Sequence, residues 1–220
     1  PGERISIASW NSQLVAAATE AFGDANDIAI ETAFSAGELA NQLAARGATT
    51  VIAVDDTVVV HPEFASSFDE SLHDPRVVAC CYLSNGAGYL SFPFARSPSN
   101  HQIGDHDEWS LADALAEQPT VAPVPVPFAA GGLVTFSGGA LRTFPLVVAG
   151  ARRLEAVAAE FSVRVAARSF RTMLDTRQFV SRPSDTTVAA GSSLLDDEEI
   201  AWIKSIHRHG ASLLDTDPEL

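Results

Sequence analysis

Cysteine is scarce: the chain has two in 220 residues, and these two, Cys80 and Cys81, are neighbours. Adjacent cysteines bridge each other only under strain, and no third thiol is left for either. A disulfide-stapled fold is therefore excluded. The pair reads as small buried apolar residues in a reducing, cytoplasmic setting. Positive charge is also thin, with 14 Lys and Arg against 28 Asp and Glu and a net charge of −14. Phosphate backbones and anionic lipid repel such a surface, so nucleic-acid binding through a basic face is not expected. A small anionic ligand needs only a local cluster of donors and stays open. No apolar run reaches the roughly 18 residues of a membrane span. The start, Pro1-Gly2-Glu3-Arg4, lacks signal-peptide character and reads as the trimmed end of a longer chain, which leaves room for flanking domains. Gly-x-Gly-x-x-Gly, phosphate-loop and Gly-x-Ser-x-Gly motifs are absent, as are internal repeats.

What is present suits a folded domain. Hydrophobic residues make up 46% and charged residues 19%, ample for a core. Residues 5–9 alternate as a short strand. An alanine-rich helix runs to Phe22 and stops at Gly23-Asp24. Residues 27–31 form a second strand. A helix opens at Ser35 or Gly37, runs through Ala45 and closes at Gly47. Residues 50–54 (Thr-Val-Ile-Ala-Val) are a near-continuous apolar run, as in a strand buried on both faces. Strand, helix, strand, helix, strand predicts an α/β domain with a parallel sheet.

Further on, residues 64–72 read as a short helix and 77–82 as an apolar strand, with 89–94 as its hairpin partner. Residues 95–109 are polar and loop-like. His101, Asp105, His106 and Asp107 lie there without the regular spacing of a zinc site, and a solvated or substrate-covering loop is the plainer reading. Residues 110–117 read as helix capped by Ser110. Pro119, Pro123, Pro125 and Pro127 predict an extended connector with no interior strand. Residues 131–136 suit a strand, Gly138-Gly139 a turn, 151–169 a helix, and 172–174 and 178–180 two short strand pieces.

The tail differs in character. Asp196-Asp-Glu-Glu199 precedes Ile200, Ile203 and Ile206, with Lys204, His207 and His209 later than the acids and Gly210 at the end. Acid first, base last and a terminal glycine signal a helix with one apolar face. It packs on the domain in the plain reading and on a partner, or a second copy of the chain, in the sharper one. The expected division is a domain over residues 1–188 and an acidic helical extension over 189–220.

Asp55-Asp56 is the most informative position, directly after the buried run. Ligands of open α/β sheets bind beyond the carboxyl ends of strands. Two carboxylates there can hold Mn2+ or Mg2+, and the cation a diphosphate. A turn or helix cap is the plain alternative.

The order of segments resembles the family 2 glycosyltransferases of the GT-A fold. Val51-Ile-Ala-Val-Asp-Asp-Thr-Val-Val-Val-His-Pro-Glu-Phe64 is similar to their Asp-x-Asp region. Ile5-Ser-Ile-Ala-Ser-Trp-Asn11 resembles their first strand, and residues 27–37 the second, with Glu31 on the acid that reads the nucleotide base. Gly131-Gly-Leu-Val-Thr-Phe136 resembles the glycine-led segment before the acceptor side. Glu160-Phe-Ser-Val-Arg164 resembles the Asp-Leu-x-Leu-Arg helix, and residues 174–180 the strand after it. The likeness spans about residues 4–187 and rests on order and spacing.

It implies a GT-A-like α/β fold, with a mainly parallel sheet flanked by helices. It also implies inverting transfer of a sugar from a nucleotide-diphosphate donor to a hydroxyl of a glycan or glycoconjugate, as in cell-wall or polysaccharide synthesis. Ser9, Asn11 and Glu31 would line the nucleotide. Asp55 and Asp56 would face ribose, diphosphate and the metal. The pattern also departs from the family. Thr57 replaces the second acid of Asp-x-Asp, and Val157 and Ala158 occupy the positions of an acidic pair that supplies the base. Arg182 replaces a histidine. In one reading, Arg182 or Arg164 neutralises the diphosphate, with Glu160 or Glu155 as a displaced base. A solvated surface Glu160 and a salt-bridging Arg164 are the plain readings of those two. In the alternative function, the chain is a catalytically degenerate GT-A-like module that serves a larger protein as a binding or structural domain.

Overall fold

The computed structural model describes residues 5–8, 27–29, 36–54, 58–60, 72, 74–85, 91, 108–117, 122–149, 153–181, 195 and 197–207. The expected helix before Phe22, the 64–72 helix and the cluster from His101 to Asp107 lie outside or almost wholly outside them.

The apolar run Thr50–Val54 forms β3, and every residue after Thr50 is buried. Strand β1 (Ile5–Ala8) pairs with it in parallel, and β2 (Asp27–Ala29) pairs in parallel with β1. Helix α1 (Ala36–Ala45) links β2 to β3. Gly47 closes that link with φ +99°, a conformation that favours glycine. The other strands are β4 (Val59–Val60), β5 (Val77–Ser84), β6 (Val124–Val126), β7 (Leu133–Ser137) and β8 (Arg171–Ser181). They build one sheet in the order β2-β1-β3-β7-β5-β8-β4, and β6 pairs with β8.

The chain is thus α/β, but the sheet is mixed rather than mainly parallel. β7 runs antiparallel between β3 and β5, and β4 and β6 run antiparallel to β8. Apolar periodicity carries no direction: Val51–Val54 and Leu133–Phe136 look alike as buried runs. Direction is set by which segments become neighbours in the sheet, not by the apolar run itself.

Other expectations change too. Pro125 sits inside β6 because that strand is an edge, where a missing N–H breaks no ladder. Residues 171–181 are one strand, not two pieces. A register shift between Tyr82 and Leu83 against Asp175 and Phe179 absorbs residues 176–178 as a bulge. Ser91 meets Ser84 in a parallel bridge, which a hairpin would not make. Helix α2 (Glu108–Ala116) starts before Ser110, so that serine is not its cap. Gly138-Gly139 opens helix α3 (Gly138–Thr143) instead of a turn, with the Ser137 hydroxyl accepting from the Ala140 N–H. Gly138 is needed there because an added Cβ would stand 1.9 Å from the Ala48 carbonyl oxygen.

Helix α4 (Leu154–Ala166) is buried almost throughout. Leu154, Val157, Ala158, Phe161 and Val165 share the main core with Leu39 and Leu43 of α1 and Val51, Cys81 and Phe136 of the sheet. The Phe136 and Phe161 rings meet edge to face at 5.3 Å. A buried hydroxyl ties the layers together. Ser162 Oγ accepts from the Ala129 N–H and from Thr172 Oγ1, each at 3.0 Å, and donates to the Ala158 carbonyl at 2.7 Å. Helix α5 (Asp197–Ile206) lies against α4. Among the described residues, no helix is long and apolar enough to cross a membrane.

Candidate functional site

Strands β1, β2 and β3 are parallel, so their carboxyl ends, at Ala8, Ala29 and Val54, share one edge of the sheet. The chain steps from β1 to β2 on one side, then returns through α1 to β3 on the other side of β1. The strand order therefore reverses at β1, the arrangement that leaves a crevice for ligands beyond the strand ends. In the chain, Ser9 comes next after β1, Glu31 two residues after β2, and Asp55 and Asp56 next after β3. Ser9, Asn11, Glu31, Asp55, Asp56, Thr57 and Arg182 themselves lie outside the described residues.

β5 and β8 point the same way as β3, so their ends at Ser84 and Ser181 belong to the same edge. Polar groups are buried here: Ser84, Asn85, Asp175, Gln178 and Ser181. Arg177 lies in the bulge and grips Asp175 with two nitrogens, Nε to Oδ1 at 3.0 Å and Nη2 to Oδ2 at 2.8 Å. The Arg177 backbone N–H adds a bond to Oδ1 at 3.0 Å. This pair was not among the sequence candidates. Its signal was an acid and a base two apart within a strand, a spacing that puts both on one face. Beside it, the Tyr82 hydroxyl shares a 2.7 Å hydrogen bond with Thr135 Oγ1. Burial first, then the nearby Cys80, pushes the Tyr82 phenol well above its ordinary range. Burial also pushes the Cys81 thiol up to about 12, which makes it a poor nucleophile.

The remaining candidates lie on α4. Val157 and Ala158 face the sheet within the apolar core. Glu160 lies on the side of the helix that meets α5, and it is fully buried. Arg164 donates to it from Nε to Oε1 at 2.8 Å and from Nη2 to Oε2 at 3.1 Å. His207 Nε2 stands 2.6 Å from Oε1. Arg164 also donates to the Pro145 carbonyl at 2.8 Å. Glu160 is thus the buried centre of a charge cluster, and Arg164 is its salt-bridge partner. A general base must reach the proton that it removes. Glu160 would have to give up Arg164 and His207 to do so. Glu155, in the first turn of α4, is also buried.

Among the described residues, no three His, Cys, Asp or Glu side chains gather as a metal set. The expected metal pair, Asp55 and Asp56, falls outside them. No protein-family model and no curated protein matches the sequence.

Proposed function

We propose that the chain is a GT-A-like domain that binds a nucleotide-diphosphate sugar at the carboxyl edge of β2-β1-β3 and transfers the sugar, with inversion, to a hydroxyl of a glycan or glycoconjugate. One observation carries this reading. The buried strand β3 ends immediately before Asp55-Asp56 and is paired with β1, where the strand order reverses. Ser9, Asn11 and Glu31 follow the two neighbouring strands and line the nucleotide. Asp55 and Asp56 take the ribose and diphosphate, together with Mn2+ or Mg2+ where a metal is used. Such an ion would offset charge on the leaving diphosphate. Of the two candidate arginines, Arg182 is next in the chain after Ser181, where β8 ends at the same edge, whereas Arg164 is committed to Glu160 and Pro145. We therefore assign charge compensation to Arg182.

A second reading has its own support. The expected acid positions are Val157 and Ala158, both packed in the core, and both Glu160 oxygens are occupied by the Arg164 guanidinium, with His207 on Oε1. A module that binds the nucleotide sugar, or a partner domain, without transfer needs no base. Calorimetric titration with UDP and GDP, with and without manganese, separates these outcomes. The proposal expects binding that Asp55→Ala abolishes, with turnover of a nucleotide sugar. Nucleotide binding without turnover favours the second reading. No binding of either nucleotide under either condition overturns the donor site.

A further inference from the structure

We propose that α5 is a detachable cover on α4, a segment that is either docked and helical or released and unfolded, latched by a Glu199–Arg153 ion pair near one end and a His207–Glu160 hydrogen bond near the other. Three observations lead there. The helix has ten residues, and isolated helices shorter than about 12–15 residues are marginal in water. Its helicity must therefore come from docking. Its apolar contact centres on Ile203, which with Leu195 just before the helix packs on Ala156 and Ala159 of α4, while Phe128, Ile200 and Trp202 pack around them only partly buried. Two polar side-chain ties flank that contact. In the first turn, Glu199 accepts from Arg153, with Arg153 Nε at 3.2 Å from Oε1 and Nη2 on the other oxygen. Just past the last turn, His207 meets Glu160.

The latch also explains a buried charge. Glu160 has no exposure while α5 is docked, and two side chains face it, the Arg164 guanidinium from α4 and the His207 imidazole from the segment following α5. Release of α5 would return that carboxylate to water and leave Arg164 as its partner. Undocking thus relieves part of its own cost, because the uncovered group is charged. The main core gains nothing from α5, since Phe161, Val157 and Leu154 face the opposite side of α4. Opening of α5 is a local event with a free energy below that of global unfolding. This inference does not depend on the nucleotide-sugar reading.

Hydrogen exchange followed by mass spectrometry on the full chain tests it, using wild type, His207→Ala and Glu199→Gln. In wild type, the amides of residues 200–206 should exchange well before those of β3, β5 and β7. Each variant should speed exchange in α5 by about tenfold or more and leave the sheet amides unchanged. Exchange of α5 only in step with the sheet overturns the proposal, as does an unchanged α5 in both variants. Equal loss of protection in α5 and in the sheet also overturns it, because α5 would then belong to the global unit. Glu199→Gln keeps this readout available if His207→Ala fails to fold.

Discussion

The two sides of α4 are both buried, but by opposite chemistry. Toward the sheet, Leu154, Val157, Ala158, Phe161 and Val165 pack into the main core. Toward α5, two alanines share the surface with Glu160, whose oxygens are occupied by Arg164 and His207. Apolar packing loses stability with every void, whereas a buried ion pair nearly cancels its attraction against desolvation. The sheet side should therefore carry the stability of the fold, and the α5 side should mostly govern position and opening.

The largest effect should come from Phe161→Ala, which removes the ring that meets Phe136 and should cost about 3–5 kcal/mol. Denaturant unfolding would read it, and a loss below 1 kcal/mol would remove the contrast. Ile203→Ala should cost less in global unfolding than its own burial implies, under about 2 kcal/mol, because α5 can open separately. Deleting residues 193–220 sharpens the same point: a cooperative transition should remain. A gradual, non-cooperative melt of the truncated chain would make α5 part of the core.

Alkaline pH should act on the sheet side. The Cys81 thiol, held up to about 12, and the Tyr82 phenol, held well above its ordinary range, keep their protons in the fold. The unfolded chain releases them earlier, at ordinary values of 9.0 and 10.0. The unfolded state then binds fewer protons, so stability falls as pH rises. From Cys81 the loss runs between the ordinary value and about 12, at about 1.4 kcal/mol per pH unit. Thermal melts from pH 8 to 11 measure it. The smallest effect on global unfolding should be Arg153→Ala, under about 1 kcal/mol, since its side chain is 36% exposed and α5 can open separately. A larger loss in denaturant unfolding would make α5 part of the global unit.

Some elements were readable in advance because their signals are local. Apolar residues at 51–54 made a strand, glycine at 47 ended a helix, and acids before base marked α5. The candidate site was readable only as positions along the chain. Asp55 and Asp56 stood out because they follow a buried strand, and that strand ends at the sheet edge where the order reverses. Glu160 looked like a solvated helix residue or a displaced base. Its burial depends on His207, 47 residues away, and no local pattern reports such a meeting. Asp175 and Arg177 went unseen for a related reason: the bulge that sets Arg177 beside Asp175 exists only in register against β5.

Composition and periodicity, acting on each segment alone, determined that the chain forms an α/β core, where most helices and strands fall, and that its surface is strongly acidic. Tertiary structure decided the antiparallel sense of β7, the strand character of the Pro125 segment, the continuity of β8 and the burial of Glu160. Each of these depends on which segments become neighbours, and neighbours are chosen by the summed burial of the whole core rather than by the residues of any one element.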